Sequence, residues 1–208
     1  MTRTHAFTCL MVAATLVAAP SVHAQEAPPF ASLKGKFLVA DPAMPDPRFA
    51  GTVIFMIEHS AEGGAVGIIV NRPASRRTLA ELLGALGLGQ PQDEATRARE
   101  IELFWGGPVE LNTAFVLHSD EFKLESTTPV APGVAISPPK DVLAAMAEGH
   151  SPAQVLLAVG YAGWSPGQLE AELKQTSWAI VTTGAEFLFG TDHAGKWERA
   201  WRMRTQDL

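Results

Sequence analysis

Cysteine is almost missing from this sequence, since Cys9 is the one thiol in 208 residues. A single cysteine cannot form a disulfide within the chain. The histidines after residue 25 have no His-x-x-x-His or similar spacing, so no structural zinc site is predicted. A P-loop, a dinucleotide fingerprint and a motif of paired carboxylates are missing too. We therefore expect neither a metal nor a cofactor.

Positive charge is also scarce. The chain has 16 lysines and arginines against 22 aspartates and glutamates, which makes its formal net charge −6. The local basic clusters are Arg76-Arg77, in a predicted loop, and Arg199, Arg202 and Arg204, on a predicted solvated helix face. Proteins bind DNA largely by neutralising phosphates with lysine and arginine. The composition therefore indicates that nucleic acid is not a direct partner.

No apolar run in the sequence predicts a membrane-spanning helix. A short, mostly apolar run from Ala6 to Ala19 follows Arg3 and His5, and Val22-His23-Ala24 resembles a cleavage site. This pattern is typical of a secretory signal over residues 1–24, and an uncleaved membrane anchor is the alternative.

Cleavage before Gln25 would leave a flexible leader, 25–32, and a single domain, 33–208. That domain is long enough for one substantial core, and no second domain is required. Cys9 would be lost with the signal, so an oxidising compartment would pose no hazard. We expect a periplasmic or secreted protein without stable membrane insertion after cleavage.

The clearest local signals lie between Gly160 and Leu173. Val155 to Val159 is a short apolar run typical of a buried strand, and a glycine-rich corner follows it. Ser165 then fits a helix N-cap, with Pro166 at the first helical position and Gln168 completing a capping box.

The same corner, Gly163 to Gly167, spells Gly-x-Ser-x-Gly, which is the nucleophile elbow of serine hydrolases. His193 is the histidine that follows it, and Asp192 or Glu186 would have to orient the ring. No HGGG-type oxyanion motif accompanies the elbow. We therefore prefer the capping role of Ser165 and keep catalysis as the alternative.

Alternation and turn residues predict the remaining strands and the best helix. Strands are expected over 36–40, 52–59, 65–71, 101–105, 114–119, 134–137 and 178–182. The second and third form a hairpin, in which Gly67 indicates a bulge or close packing. Thr78 and Glu81 predict a capping box, and Gly87 or Gly89 ends that helix.

Two further helices are predicted in the second half of the chain. Pro138-Pro139 opens one that runs through Glu148. Asp192 caps a last helix, in which Trp197 and Trp201 form the buried stripe.

His59 and His118 lie on separate predicted strands and could meet in space. Facing one cleft with Glu58, Asp46 or Asp120, they would form an acid–base or metal site. Such histidines more often satisfy local hydrogen bonds, and this is the preferred interpretation.

Gly106-Gly107 follows a predicted strand. Two glycines there could direct backbone N–H groups toward an anion. A tight turn between strands is the preferred interpretation of the pair.

Many short motifs together resemble the YqgE/AlgH family and cover nearly all of residues 33–204. In chain order they are Phe37-Leu38-Val39-Ala40, Asp46-Pro47-Arg48-Phe49, Glu58-His59, Gly67-Ile68-Ile69-Val70-Asn71-Arg72-Pro73, Gly106-Gly107-Pro108-Val109, Phe115-Val116-Leu117-His118-Ser119, Asp141-Val142-Leu143, Gly160 to Leu173, and Ser177-Trp178.

The resemblance implies an α/β (α+β) fold, a single compact domain with a curled, mixed β-sheet flanked by helices. It implies no established catalytic activity, and members have been labelled transcriptional regulators, in part through an association with alginate production. Relatives often have a cysteine at the position of Ile57, so a thiol-based role is not expected here. Relatives are also usually cytosolic, whereas this chain begins with a predicted signal.

Two functional hypotheses follow. The preferred one is a non-catalytic binding or regulatory module that works after export on a protein or small-molecule partner. Its binding surface is expected near five residues: Asn71, Gly106, Gly107, His118 and Trp164. The alternative is a small periplasmic hydrolase that uses Ser165 with His193, or with His59 and His118. Export contradicts a direct role in transcription.

Overall fold

Ten strands and six helices form in residues 31–204, which the computed structural model describes. The predicted signal and most of the predicted leader lie outside the described residues. The strands are β1 (Phe37–Ala40), β2 (Val53–Ser60), β3 (Gly64–Ile69), β4 (Pro73–Thr78), β5 (Glu100–Trp105), β6 (Val109–His118), β7 (Thr128–Ala131), β8 (Val134–Ser137), β9 (Val155–Trp164) and β10 (Trp178–Val181). The helices are α1 (Leu79–Ala85), α2 (Glu94–Arg97), α3 (Pro139–Ala147), α4 (Gln168–Lys174), α5 (Ala185–Phe189) and α6 (Lys196–Met203).

Strand β9 is the centre of the sheet. The strand order is β10-β1-β2-β3-β9-β6-β8-β7, and β5 pairs with both β4 and β9. Within β9, residues 157–159 pair antiparallel with β6 and parallel with β5. Residues 162–164 of β9 pair antiparallel with β3. A strand has two edges, so β5 and β3 share the edge opposite β6. The predicted strand was therefore too short, because β9 continues through the glycines to Trp164.

The hairpin of β2 and β3 is confirmed, and so is the special role of Gly67. The register shifts between Met56 and Glu58, which places a bulge at Ile57 opposite Gly67. A Cβ at Gly67 would lie 2.5 Å from a methyl carbon of Ile54, so a larger residue would collide with the neighbouring strand.

Two strands and two short helices were not predicted. β4 contains Arg76-Arg77, so the predicted loop at these residues is wrong. The predicted loop over 90–100 contains α2, capped by the side chain of Asp93. β4 begins with a proline and is polar and largely exposed, so its sequence has no apolar alternation. Strand β7 and helix α5 were also missed.

Apolar residues cover both faces of the sheet. One face packs Phe37, Phe55 and Phe104 against α5 and α6. The other packs Leu38, Ile54 and Trp164 against α4 and a half-buried loop residue, Phe49. Helices α1 and α3 close a third cluster over β5, β6 and β9.

Helix α6 differs from its prediction in two ways. Trp197 and Trp201 are half-buried and stack with centroids 5.9 Å apart, while the fully buried side chains are Lys196 and Ala200. Asp192 accepts a hydrogen bond from Gly195 N, one residue before the helix, so it orders the turn and is not the N-cap.

The fold class predicted from the sequence is confirmed. A curled, mostly antiparallel sheet forms a half-barrel flanked by helices in one mixed α/β domain. Within residues 31–204, no helix is both long and apolar enough to cross a membrane.

Candidate functional site

The loop between β1 and β2 carries the candidate site, and two consecutive residues hold it in place. Asn71 accepts a hydrogen bond from Val53 N (2.8 Å) and donates one to the Gly51 carbonyl (2.9 Å). Arg72 donates from Nη1 to the Arg48 carbonyl (2.6 Å) and from Nη2 to the Ala50 carbonyl (2.8 Å). These bonds satisfy backbone groups that an irregular loop would otherwise leave unpaired.

Beside this loop lies an open groove of about 700 Å³. We call it the arginine groove; its lining is Pro47, Arg48, Asn71, Arg72, Pro73 and Trp105. The guanidinium of Arg72 lies 5.3 Å from the centroid of the Trp105 ring. The groove thus combines apolar walls with two cations and contains no carboxylate among its lining residues.

Arg72 is a half-buried cation that has no anionic partner in the described part of the chain. Its bonds go to two carbonyl groups, and no carboxylate in residues 31–204 forms an ion pair with it. Burial lowers the pKa of its guanidinium from the ordinary value, because removal from water disfavours the charged form. An anion in the groove would offset that desolvation.

Arg48 is the exposed cation of the groove, with 61 % of its side chain accessible. Its Nη2 lies 2.7 Å from Asp46 Oδ2, and its Nε also donates to that carboxylate. These hydrogen bonds lower the pKa of Asp46 and raise that of Arg48. The pair uses Nε and Nη2 of Arg48 and not Nη1.

On the other side of Arg48 lies a more enclosed cleft of about 290 Å³, which we call the tryptophan cleft. Its lining includes three aromatic side chains, Phe49, Trp164 and Trp178, and two carboxylates, Asp46 and Glu172. Both indoles donate to Glu172 Oε2 at 2.8 Å. The cleft therefore lies between the 46–51 loop on one side and β9, α4 and β10 on the other.

Ser165 does not have the predicted capping role. The N-cap of α4 is Gly167 and no side chain caps it, so the helix begins at Gln168 and not at Pro166. The other half of the predicted capping box does form, since Gln168 Oε1 accepts a hydrogen bond from Ser165 N (3.1 Å). Gly167 has a φ of 78°, which turns the chain into the helix without a serine cap.

No histidine shares the pocket of Ser165. Ser165 lines a shallow pocket with Tyr161 and Pro166, and no histidine lines it. His193 instead lies 2.9 Å from a carboxylate oxygen of Glu102 on β5 and packs edge-on against Phe104. Its Nδ1 is buried, with no hydrogen-bond partner among the described residues. The described structure therefore shows no contact between Ser165, as nucleophile, and His193, as base.

His59 ties the start of the described chain to α4. Its Nδ1 accepts a hydrogen bond from Leu33 N (2.9 Å), so Nε2 carries the proton and donates to Glu170 (3.0 Å). Ser32 Oγ also donates to the His59 carbonyl. These bonds are consistent with the local structural role that the sequence favoured.

His118 is fully buried and also bonds locally. Nδ1 faces the Ser119 carbonyl (3.0 Å), which can only accept, so Nε2 of the neutral ring accepts from Ser137 Oγ (2.9 Å). Thr127 then donates to Ser137, and Leu124 N donates to Thr127. This chain joins β6, β8 and the turn before β7.

Gly106 and Gly107 mark a close crossing of two backbone segments. Gly106 N donates to the Val159 carbonyl (2.8 Å), so that N–H is not available to an anion. A Cβ at Gly107 would lie 2.1 Å from the carbonyl carbon of Tyr161. The glycines are therefore explained by the approach of β9.

The predicted binding residues are thus divided. Asn71 lies in the arginine groove and Trp164 in the tryptophan cleft, whereas His118 and the glycine pair belong to the core. Sequence reasoning missed Arg48, Arg72 and Trp105. The first two occur inside recognised motifs, but the contacts between them join residues 24 positions apart.

The groove can bind and orient a ligand, but its lining has no histidine, carboxylate, serine or cysteine to act as base or nucleophile. Within residues 31–204, no group of three or more histidine, cysteine, aspartate or glutamate side chains could hold a metal ion.

Comparison with known proteins gives consistent matches. A family model described as AlgH-like matches residues 37–208. A UPF0301 protein of Caulobacter vibrioides is 45 % identical over 170 residues, which are 81 % of this chain and 85 % of the relative. A UPF0301 protein of Methylococcus capsulatus is 42 % identical over 170 residues, which are 82 % and 90 % of the two chains.

Two solved structures share the fold. The solution structure of the AlgH protein from Pseudomonas aeruginosa has a TM-score of 0.68 and 37 % identity, covering 86 % of this chain and 91 % of that one. A crystal structure of a Corynebacterium diphtheriae protein has a TM-score of 0.62 at 20 % identity, covering 84 % and 88 %.

Proposed function

The chain belongs to the AlgH-like family, and we propose that it is a non-catalytic binding module whose arginine groove takes a small organic anion. The observation that carries the proposal is Arg72, a half-buried guanidinium with two carbonyl partners and no carboxylate partner within residues 31–204. A buried charge is costly unless it is paired, and a bound anion would supply the pair.

The shape of the groove supports a small ligand with a flat apolar part. Its volume of about 700 Å³ is typical of small-molecule sites. Trp105 and the two prolines offer apolar surface, and Arg48 adds an exposed cation. Guanidinium groups match carboxylate geometry well. We therefore propose an aromatic or aliphatic carboxylate as the ligand class.

The test is a titration with benzoate and with its neutral analogue benzamide, followed by ¹H–¹⁵N NMR of the Trp105 indole and the arginine Nε–H groups. Benzoate is expected to shift these signals to saturation, and benzamide is not. Equal shifts with both compounds, or none with benzoate, would refute the proposal.

A matched pair of variants locates the site. Arg48→Gln should weaken benzoate binding about two- to fivefold, the effect of one exposed charge pair. Arg97→Gln is the control, because Arg97 also pairs with a nearby carboxylate (Glu94, 2.6 Å) but lies outside the groove. Equal weakening by both variants would indicate a general charge effect.

We also propose that the protein works after export, in the periplasm or outside the cell, so that any effect on gene expression is indirect. The support is the signal-like pattern of residues 1–24. The N-terminal mass of protein recovered from cell fractions tests this proposal. A periplasmic species that starts at Gln25 supports it, and a cytosolic species that retains Met1 contradicts it.

The alternative of a serine hydrolase has no supporting observation at Ser165, whose pocket contains no histidine. A fluorophosphonate probe should therefore leave Ser165 unlabelled in the folded protein. Labelling that is abolished by Ser165→Ala would reinstate the alternative.

A further inference from the structure

We propose that the tryptophan cleft is a second binding site, which shares Arg48 with the arginine groove, and that it takes a quaternary ammonium group. The cleft has three aromatic rings, two carboxylates and the more enclosed shape of the two sites. Its lining also includes Arg48, whose charge is paired with one of those carboxylates, Asp46, so that Glu172 is the carboxylate left for a ligand. Those features are the ones that recognise alkylated ammonium cations.

Glu172 provides the charge. Oε2 accepts from both indoles, and Oε1 accepts from Gln168 Nε2 at 2.9 Å. All three donors are neutral, and no cation in residues 31–204 forms an ion pair with Glu172. The half-buried carboxylate is therefore held in position by hydrogen bonds while its charge stays uncompensated.

Two indoles contact this carboxylate, and Phe49 packs against one of them. Trp164 and Trp178 meet edge to face with centroids 5.9 Å apart, and Phe49 meets Trp178 in the same way at 5.7 Å. Phe49 already lies 5.7 Å from the Arg48 guanidinium at the mouth of the cleft. One ring of the cleft, Phe49, thus already has a cation near its face, as the negative face of a π-system favours.

The hydrogen bonds of Glu172 indicate which cation fits. Three N–H groups already occupy most of the acceptor sites of the carboxylate. A primary ammonium would have three donors and few remaining acceptors for them. A quaternary ammonium has charge and apolar methyl groups but no N–H, so it needs no further acceptor.

The experiment is a titration with choline and with 3,3-dimethylbutan-1-ol, its neutral isostere with carbon in place of the charged nitrogen. The readout is the pair of indole N–H signals of Trp164 and Trp178 in ¹H–¹⁵N NMR, assigned with Trp→Phe variants. Choline is expected to move both signals to saturation, and the alcohol is expected to move neither. Equal binding of the two, or no binding of choline, would overturn the proposal.

Two further probes sharpen the assignment. Ethanolamine, with a primary ammonium, is expected to bind at least about tenfold more weakly than choline, and equal affinity would overturn the quaternary assignment. Phosphatidylcholine vesicles distinguish a lipid headgroup from a free cation, provided that choline binds. Binding to vesicles as well as to choline identifies the headgroup as a source of the ligand, and binding to choline alone identifies the free cation.

Glu172→Gln tests the charge while it keeps an oxygen for the indoles. It should weaken choline binding about tenfold or more, and Glu94→Gln, a remote and exposed change, should leave it unchanged. Because Glu172→Gln could disturb folding, Phe49→Leu provides a second test that leaves the Glu172 bonds intact. It should weaken choline binding severalfold, and full affinity in both variants would overturn the proposal.

The choline proposal and the benzoate proposal are tested by different NMR signals, so one can be refuted without the other. Benzoate is read at Trp105 and Arg72 in the arginine groove, whereas choline is read at Trp164 and Trp178 in the tryptophan cleft. Loss of one response therefore leaves the other interpretable.

Discussion

At the scale of single residues, Lys196 is the most unusual side chain of α6. It is fully buried, donates from Nζ to the Leu188 carbonyl (2.7 Å) and lies 5.8 Å from the centroid of the Phe187 ring. Burial lowers its pKa to about 8, since the charged form loses its hydration. Arg199 adds a like charge nearby, and Asp192 partly offsets both effects.

The lowered pKa of Lys196 predicts how stability depends on pH. Between about pH 8 and the ordinary lysine value of 10.5, the unfolded chain binds more protons than the folded protein. The free energy of unfolding should therefore rise with pH in this window, by up to about 3 kcal/mol, and the cost of burying the charge is fully present below it.

The comparison with Lys196→Met isolates this effect. Urea unfolding of both proteins across the window gives their difference in stability at each pH. We expect the free energy of unfolding of the wild type to rise relative to that of the variant as pH rises. A difference that stays flat from about pH 7.5 to about pH 10 would contradict the shifted pKa.

Ser137 is a second residue with a large predicted effect, since its hydroxyl is the one described donor to His118 Nε2. Ser137→Ala would leave that nitrogen buried without a partner and should cost about 1–3 kcal/mol in urea unfolding. Ser126→Ala removes an exposed hydroxyl that bonds to Asp141 and should cost less than about 0.5 kcal/mol. Equal costs would show that the buried network adds no stability.

At the scale of elements, two predicted helix caps behave differently. Thr78 and Glu81 form the complete capping box of α1, so Thr78→Ala should lower stability by about 0.5–2 kcal/mol, while Thr78→Ser should retain most of it. Ser165 caps nothing by its side chain, so Ser165→Ala should change stability by less than about 0.5 kcal/mol. A loss for Ser165→Ala as large as that for Thr78→Ala would restore the capping role.

The crossing of β9 with the end of β5 sets a steric limit at Gly107. This residue has a φ of 151°, and an added Cβ would lie 2.1 Å from the Tyr161 carbonyl carbon, far inside van der Waals contact. Gly107→Ala should therefore destabilise the protein by at least about 3 kcal/mol in thermal or urea unfolding. Gly89→Ala meets no atom within 4 Å and is the control. Similar stabilities of the two variants would show that the strands can separate.

At the scale of the whole molecule, net charge is the relevant property. With 16 basic and 22 acidic side chains, the protein should repel a DNA duplex despite the local cations of the arginine groove. Fluorescence anisotropy with a labelled duplex at low salt is expected to show no saturable binding. Binding that weakens steeply as salt rises would contradict this expectation and favour a direct role in transcription.

Local patterns predicted much of the fold. Strand β8, the hairpin of β2 and β3, and the start of α1 were predicted with correct or nearly correct bounds. Each depends on residues close in sequence, such as an alternation or a cap three positions from its partner. The patterns failed at β4 and β7, which are short or polar, and at the second half of β9, where glycines occur in a paired strand.

The candidate site was less predictable than the fold. The sequence predicted Asn71 and Trp164 as binding residues, but the groove and the cleft depend on contacts of Arg72 and Glu172. An arginine that bonds to a carbonyl 24 residues away has no local signature. Nor could spacing show that two indoles, one on β9 and one on β10, share a single carboxylate on α4.

By itself, the sequence determined the fold class, the family resemblance, the acidic charge and the sites of several helix starts, because these depend on composition and on neighbours along the chain. Only the tertiary structure decided that no histidine lines the pocket of Ser165, that His118 belongs to the core, and that Arg72 and Glu172 are charges without ionic partners in the described chain. The physical reason is that charge compensation and burial depend on distance in space, which a curled sheet sets by bringing remote segments together.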